Sequence, residues 1–505
     1  MKRSLSLPSR RAWIALAVLC TLVLFPLSVQ GQTPPVSPDP ELTKALDALL
    51  DGPELQTGFC GVCIQSLQDQ SVLYERNADR VFLPASNNKL LTSAAALGIL
   101  GPDFTYTTRL AYTGTLDADG TLNGDLYLHG SGDPTLTLTD LDALAQQAAN
   151  AGLKRVTGAL HYDDTLFDRQ FLGEGWEWDD EAGYDAAQIS ALNINHNVAL
   201  VTVTPGRKEG ERPKVHIQPE AHYVTVVNTA VTGPAKSKFT LIVDRPRGLN
   251  TILVFGSIPR DTPADKPFTV NVSVEDPALY AATLCASSLA KAEVRLENNK
   301  PSVAAVPTHA LTLAEHVSPP LSELLKRMNK PSDNLMAECL LKTVGAARKG
   351  QGTGGGGGTG AQAAREWLGS LGLDLSRLRQ CDGSGLSRQN YVSPRNLARL
   401  LAGYHSRPDF EIFYASLPIA GVDGTLRSRL KTTPAANNCR AKTGSLRNVS
   451  TLSGYVTTKD GELLAFSLLM NNNLVSAASD RAVQDKIVAL LAAYTRKHET
   501  GDTFP

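Results

Sequence analysis

The sequence predicts a mixed α/β (α+β) protein, with helices and a sheet at both ends of the chain and a β-rich excursion of nearly two hundred residues between them. Three observations lead there. At 505 residues the chain is too long for one ordinary core, so two or three domains are expected. Apolar helical runs cluster before Thr105 and after Leu311. Between about Thr105 and Pro301 the texture changes to short alternating segments broken by Gly, Asp and Asn, such as TLNGDLYLHGSGDP, VALVTVTPG and FTVNVSVEDP.

Taken in order, the chain opens on a basic stretch, MKRSLSLPSRRAW, followed by an apolar run from Ile14 to Val29 that is short for a membrane span. Val29 and Gly31 supply small-residue spacing for cleavage near Gln32, so residues 1–31 read as a signal peptide, with an uncleaved anchor as the alternative. Ser9-Arg10-Arg11 with Trp13 resembles a twin-arginine signal, although the long apolar core suits general secretion equally well. Cys20 follows Leu19, which is too bulky for a lipoprotein cleavage site. No second apolar run follows, so the expected mature protein has no stable membrane span and lies in the periplasm or cell envelope.

After a proline-rich tether, GQTPPVSPDPE, come a helix (ELTKALDALLDG), a strand (TGFCGVCIQSLQDQSVLYERN) and the apolar helix that begins at Ser86. Within the excursion two helices stand out, LTDLDALAQQAANAG and DPALYAATLCASSLAKA. Beyond Leu311 the helices are SPPLSELLKRMNK, SDNLMAECLLKTVG and AQAAREWLGSLG, the last two separated by a glycine-rich loop at 349–360 that glycine entropy should leave flexible. Two strands, NVSTLSGYVTT and ELLAFSLLMNN, flank a hairpin turn at Lys459-Asp460-Gly461, and a helix, AVQDKIVALLAAYTRK, closes the chain. The expected division is 32–104 plus 306–505 as one discontinuous domain and 105–305 as the inserted β-rich region, in two subdomains.

Composition excludes some classes. Lysines and arginines number 49 against 50 acids and are scattered, which argues against a nucleic-acid or polyanion binder. Cys60, Cys63, Cys285, Cys339, Cys381 and Cys439 lie beyond the signal segment. Cys60-Gly-Val-Cys63 has the spacing of a redox or zinc motif, but the surrounding alternation puts the two on opposite faces of a strand, and packed thiols are the better reading. A Cys381–Cys439 bridge is conceivable only from proximity to the motifs described next. No metal is implied: there is no His-Glu-x-x-His, and His309 and His316 lack a ligand cluster. No cofactor motif stands out either.

Three short motifs carry the chemistry. Ser86-Asn-Asn-Lys89 follows Pro84 at the head of an apolar helix, which raises the question of a lysine aimed into a crowded interior. The spacing alone is weak, since Ser288-Leu-Ala-Lys291 and Ser428-Arg-Leu-Lys431 match it too, but Ser288 falls deep in a helix, where its hydroxyl is expected to back-bond to the main chain. Ser332-Asp333-Asn334 opens another helix after a Lys-Pro break, and on its own it reads as a cap. Lys442-Thr443-Gly444-Ser445 directly precedes the C-terminal hairpin.

The order Ser-x-x-Lys, Ser-x-Asn, Lys-Thr-Gly is the set shared by penicillin-binding proteins and serine β-lactamases. Together with LYLHGSGDPTLT, VTGALHYDDTLFD, ISALNINHN, DGSGLSR, AGVDGTLRSRL and LSGYV, the chain resembles the D-alanyl-D-alanine carboxypeptidase/endopeptidase family, the low-molecular-mass class C penicillin-binding proteins. The resemblance covers nearly all of the expected mature chain. It implies a penicillin-binding-protein/β-lactamase-like catalytic domain, an antiparallel sheet with flanking helices, carrying inserted domains that a compact β-lactamase has no room for. The departures are a looser Gly352–Gly360 region and Arg447, where some relatives have an uncharged residue.

The resemblance also implies roles. Ser86 is the expected nucleophile toward the penultimate D-alanine carbonyl of a peptidoglycan stem peptide, and β-lactams are expected to acylate it. Lys89, at i+3 on the same helix face, is the expected base, with Lys442 as a second cation nearby. Ser332 relays a proton to the leaving nitrogen, and Asn334 binds the substrate amide or orients Lys89. Thr443 and Ser445 suit the terminal carboxylate, and Gly444 lets an extended peptide approach the strand edge. The oxyanion hole carries over to the backbone N–H groups of Ser86 and Ser445. Arg388 and Arg447 are candidates to touch an acidic stem peptide, although surface arginines are more often only solvated. The rival readings are a β-lactamase or esterase on the same scaffold, and a non-catalytic envelope protein that binds peptidoglycan.

Overall fold

The alternating apolar strands at the two ends of the chain build one sheet. The computed structural model describes residues 39–220 and 223–496, so the segment read as a signal peptide lies outside the described residues, with most of the tether. The five strands run in the order Val72–Arg76, Phe59–Ser66, Leu463–Asn471, Val449–Thr457, Arg440–Leu446, every neighbouring pair antiparallel. The segment read as one strand after Thr57 is two. Asp69 breaks it by accepting the Ser71 N–H (2.9 Å) and hydroxyl (2.6 Å), and Gln70 takes a left-handed φ of 64°.

Helices cover both faces, which is why Val449–Thr457 and Leu463–Asn471 are buried almost throughout. Pro40–Leu50 and Ala477–Ala493 pack Leu46, Ile487 and Leu491 against Phe466. On the other face Leu90, Leu340 and Leu401 meet Leu469, from the helices Asn88–Leu100, Asn334–Lys349 and Pro394–His405. Each such leucine contributes about 1.5–3 kcal/mol by leaving water. Asn88–Leu100 is buried at every position from Asn88 to Leu97, so Lys89 does point into the interior.

Cys60 and Cys63 fall in separate clusters on opposite sides of their strand, and all six described cysteines are buried and free. No Cys381–Cys439 bridge forms: Cys439 packs behind the sheet with Ala441 and Val456, whereas the Cys381 thiol meets the Gln389 carbonyl at 3.4 Å.

The excursion has its own core. A mixed sheet is ordered Leu311–Val317, Thr107–Tyr112, Leu126–His129, Arg155–Asp163, Thr121–Asn123, Thr115–Leu116, and Arg295–Val303 also pairs with Arg155–Asp163. Leu311–Val317 therefore pairs within the excursion and not with the helices that follow it. The helices Leu138–Asn150 and Pro277–Lys291 bury Leu141, Leu144, Ala281 and Leu289 in that core. Ser288 is buried as expected but does not back-bond: its hydroxyl donates to Asp142 of the facing helix at 2.6 Å, and Lys291 reaches the same carboxylate at 3.3 Å. Smaller sheets, such as the three-stranded one formed by Lys214–Gln218, Val198–Thr204 and Phe268–Ser273, complete the region. Hydrogen bonds from Gly354 N to Asp168 (2.9 Å) and Gly356 N to Glu174 (2.7 Å) tie the glycine-rich segment to the 168–174 stretch.

Candidate active site

The three motifs converge from three elements. Ser86 lies in a single 3-10 turn, Ala85–Asn87, that feeds directly into Asn88–Leu100. No side chain caps either helical start, so Ser86 is not spent as a cap. Ala85 adopts φ 45°, a left-handed backbone that a residue with a Cβ takes up only under constraint. The constraint is visible in two glycines that press on this turn. A Cβ on Gly385 would come within 1.8 Å of the Ala85 carbonyl oxygen, and one on Gly444 would come within 2.8 Å of Ser86 N.

In the second motif the residues divide the work. Asp333 caps the Asn334–Lys349 helix by accepting the Met336 N–H at 2.8 Å, and its other oxygen meets the Tyr184 hydroxyl (2.9 Å) and His196 (3.2 Å). The flanking Ser332 and Asn334 are thereby left to face the site, Ser332 at a left-handed φ of 72°. The third motif lies on the edge strand Arg440–Leu446. Asn87 joins it to the serine turn: with its amide oriented to suit its neighbours, it donates to the Lys442 carbonyl (2.8 Å) and to Thr451 (3.1 Å).

Lys89 is fully buried and has three acceptors, one for each ammonium hydrogen: Ser86 Oγ at 3.1 Å, Asn334 Oδ1 at 2.6 Å and the Ser384 carbonyl at 2.9 Å. Lys442 is equally buried and donates to Ser332 Oγ (2.8 Å) and the Thr443 carbonyl (2.9 Å). The two lysines differ in their surroundings. Burial pushes Lys89 down to about 8, and the carboxylates of Asp382, Glu338, Asp333 and Asp185 hold it from falling further. Burial pushes Lys442 well below the ordinary lysine range, and Lys89 lowers it again. Carboxylates gather around Lys89, whereas the one charged group that shifts Lys442 is Lys89 itself, so the positive charge favours Lys89 of the two.

A cavity of about 240 Å³ opens over these groups, lined by Ser86, Ser332, Asn334, Thr425, Thr443 and Ser445 among others. A second, of about 340 Å³, shares Thr425, Thr443, Gly444 and Ser445 and adds Arg429 and Arg481. The larger cavity of about 870 Å³ around Thr135, His196 and His216 contains none of the three motifs, so size does not mark the site here. Arg388 and Arg447 meet outside the lining. Arg388 pairs with Glu177 at 2.9 Å and donates to the Arg447 carbonyl at 3.1 Å. Among the described residues no group of three or more His, Cys, Asp and Glu is placed to hold a metal ion, and no helix is long and apolar enough to cross a membrane.

Sequence reading missed the Ser384 carbonyl, Asp382, Glu338, Asp185 and Thr425. DGSGLSR and AGVDGTLRSRL contain three of these and stand out as family-like stretches, but a carbonyl ligand leaves no side-chain signature. Glu338, mid-helix among Leu335, Met336 and Leu340, is the one detectable signal: a carboxylate on a face that otherwise reads as core.

A serine turn under a helix, two buried lysines and the edge strand of a five-stranded antiparallel sheet define the penicillin-binding-protein class, with its β-lactamase-like catalytic fold. Penicillin binding protein 4 from Haemophilus influenzae superposes with a TM-score of 0.80 at 28% identity, over 89% of this chain and 99% of that one. A complex of the same protein with a β-lactam superposes at 0.74. The family model for the D-Ala-D-Ala carboxypeptidase 3 (S13) family matches residues 42–494, and the chain belongs to that family. A D-alanyl-D-alanine carboxypeptidase from Actinomadura sp. (strain R39) is 39% identical over 95% of this chain and 90% of its own length. The H. influenzae carboxypeptidase is 29% identical over 81% of this chain and 85% of its own length.

Proposed function

We propose that this chain is a serine-type D-Ala-D-Ala carboxypeptidase that cleaves peptidoglycan stem peptides outside the cytoplasmic membrane through an acyl-enzyme on Ser86. The observation that carries the reading is the Lys89 amine, buried against Ser86 Oγ at 3.1 Å while Asn334 and the Ser384 carbonyl hold its other hydrogens. The catalytic domain joins the residues before about 104 with those after Val317, and the excursion is inserted between them.

At pH 7 a lysine pushed down to about 8 is neutral in roughly a tenth of the molecules. Substrate raises that fraction. Its terminal carboxylate, bound by Thr443 and Ser445, favours the charged form of Lys442, and a cation there repels the proton on Lys89. Neutral Lys89 takes the Ser86 proton as Oγ bonds to the penultimate carbonyl carbon, and the carbonyl electrons move to oxygen between the Ser86 and Ser445 N–H groups. When this species collapses the C–N bond breaks, and Ser332, bonded to Lys442, passes a proton to the departing D-alanine nitrogen. Water then displaces Ser86 from the ester. The continuing cavity past Thr443 and Ser445 gives room for a longer leaving group, so cleavage of cross-linked peptides belongs to the same proposal. Arg388 and Arg447, joined by a hydrogen bond outside the cavity lining, are the candidates to touch an acidic stem peptide.

Intact-mass spectrometry with excess penicillin tests the nucleophile. One adduct on the wild type and none on Ser86→Ala is expected, together with D-alanine release from a pentapeptide. Penicillin that disappears without an adduct means a β-lactamase. No adduct and intact penicillin leave a non-catalytic peptidoglycan binder.

A further inference from the structure

Glu338 has no part in the chemistry above, yet it is one of the most constrained carboxyl groups in the molecule. It sits one turn into the Asn334–Lys349 helix and is 3% exposed. Its two oxygens accept separate backbone N–H groups, Gly383 at 2.9 Å and Ser384 at 2.8 Å. Those amides belong to the turn whose Ser384 carbonyl is bonded to Lys89. The fit is tight: a Cβ on Gly383 would come within 2.2 Å of the Ala337 carbonyl oxygen. Thr92, from the helix that carries Lys89, closes the loop by donating to the Gly383 carbonyl at 2.7 Å.

We propose that Glu338 is a positioning residue for the Ser86–Lys89 pair: its carboxylate clamps the Gly383–Ser384 turn so that the Ser384 carbonyl meets Lys89, and its charge governs how firmly Lys89 keeps its proton. The inference rests on the acyl-enzyme reading of Ser86.

Two functions follow from one side chain. The clamp is geometric: the two N–H bonds hold the peptide planes on either side of Gly383 that lead into Ser384, while the plane of the Ser384 carbonyl itself is held by Asp382 through the Gly385 N–H at 2.8 Å. The charge acts through space. Glu338 is among the carboxylates that keep Lys89 from falling below about 8. Burial and neighbouring Asp382 in turn push Glu338 up to about 7, against the pull of the Ser384 and Gly383 N–H groups. Protonation of Glu338 near neutrality therefore removes a negative charge from beside Lys89 and releases the lysine toward its neutral, basic form. The other charged groups facing this pair are Asp382 on the same turn, Asp333 at the helix cap with its partner His196, Asp185 behind Asn334, Lys442 on the edge strand, and Lys342, which is bound to Asp168. Asp382 is spoken for by the N–H groups of Gly385 (2.8 Å) and Ser387 (2.6 Å) and by the side chains of Asn390 (2.7 Å) and Trp176 (3.0 Å). Among the described residues, Glu338 hydrogen-bonds only the turn that touches Lys89.

The test is the pH dependence of the rate at which penicillin acylates Ser86, followed by intact mass in the full chain. Glu338→Gln keeps the shape, removes the charge and presents an NH₂ to one of the two N–H groups. Its acid-side midpoint is expected to move to lower pH by roughly one unit, with a plateau rate reduced about tenfold. A rate lowered equally at every pH, with the midpoint in place, overturns the proposal, because that is the mark of a merely structural residue. If the Gln variant does not fold, Glu338→Asp carries the test. Its shorter side chain draws the charge back from Lys89, so the acid-side midpoint is expected to move to lower pH by a few tenths of a unit as the plateau falls, and a rate lowered equally at every pH overturns the proposal. Failure of the wild type to be acylated at all defeats the Ser86 reading and is distinguishable from either result.

Discussion

Two helices of this protein present a serine and a lysine three residues apart. At Ser86 and Lys89 the amine is fully buried and bonded to the serine oxygen, an amide oxygen and a carbonyl. At Ser288 and Lys291 the hydroxyl and the amine both turn to Asp142, and the lysine side chain is 60% exposed. The spacing is the same in both. What differs is whether a carboxylate stands between the two groups and whether water reaches the amine. A lysine in water keeps its proton, and a serine bonded to a carboxylate has already given its hydrogen away. Chemistry needs the arrangement at Ser86, where the hydroxyl faces a desolvated amine and the carboxylates are held behind it.

The contrast breaks most visibly at the lysines. Lys89→Met is expected to slow acylation by penicillin by roughly 10²–10⁴-fold, the usual worth of a positioned base, and Lys291→Met to leave it within about twofold. Comparable losses in the two variants would erase the distinction. Gly444→Ala comes next. Its Cβ would meet Thr451 Oγ1 at 2.2 Å and Ser86 N at 2.8 Å, so a loss of about 1–3 kcal/mol and slower acylation are expected, read by thermal melting and intact mass.

Two smaller effects sharpen the comparison through ionisation. Wild-type acylation should climb as the pH rises through about 8, since only the neutral amine of Lys89 accepts the serine proton. Lys442 is buried without a carboxylate partner, and its folded pKa lies below its unfolded one. Its ionisation therefore favours the unfolded chain, and stability falls as the pH drops from the unfolded value toward the folded one. Lys442→Met should thus melt a few degrees higher than wild type at neutral pH while losing activity. The smallest effect belongs to the second serine. Ser288→Ala should lose about 1 kcal/mol in thermal unfolding and nothing in acylation, and a slower acylation would show that the excursion's helix bears on the site.

Much of this was legible before any coordinates. The apolar run after Ser86 identified a helix with no solvent face, and so a lysine with nowhere to go but inward. Lys459-Asp460-Gly461 marked the hairpin because Gly461 takes φ 89°, where a side chain is strained. The middle residue of Ser332-Asp333-Asn334 was readable as a cap and is one, which is why its neighbours are available. The break at Asp69 in the first sheet strand escaped notice, because a side chain turning on its own backbone leaves only a polar run behind. The partner of Ser288 is not legible in the sequence, because a helix-interior serine has two outlets, and which one it takes depends on a facing helix more than a hundred positions away. The balance of charge between Lys89 and Lys442 is out of reach for the same reason: four carboxylates from three segments, Asp185, Asp333 with Glu338, and Asp382, act on Lys89.

The serine turn is wedged between two glycine backbones, Gly385 on one side and Gly444 on the other, with no side chain interposed. That wedge bears on how such a site can change under selection by an inhibitor. Variation in the floor is closed off, because enlarging either glycine displaces the main chain that carries Ser86. Tolerance resides at the mouth, in Thr425 and Leu446, which line the cavity without entering that wedge. If β-lactams acylate Ser86 as proposed, escape is therefore a matter of remodelling the doorway, and substitutions recovered under drug pressure should gather there.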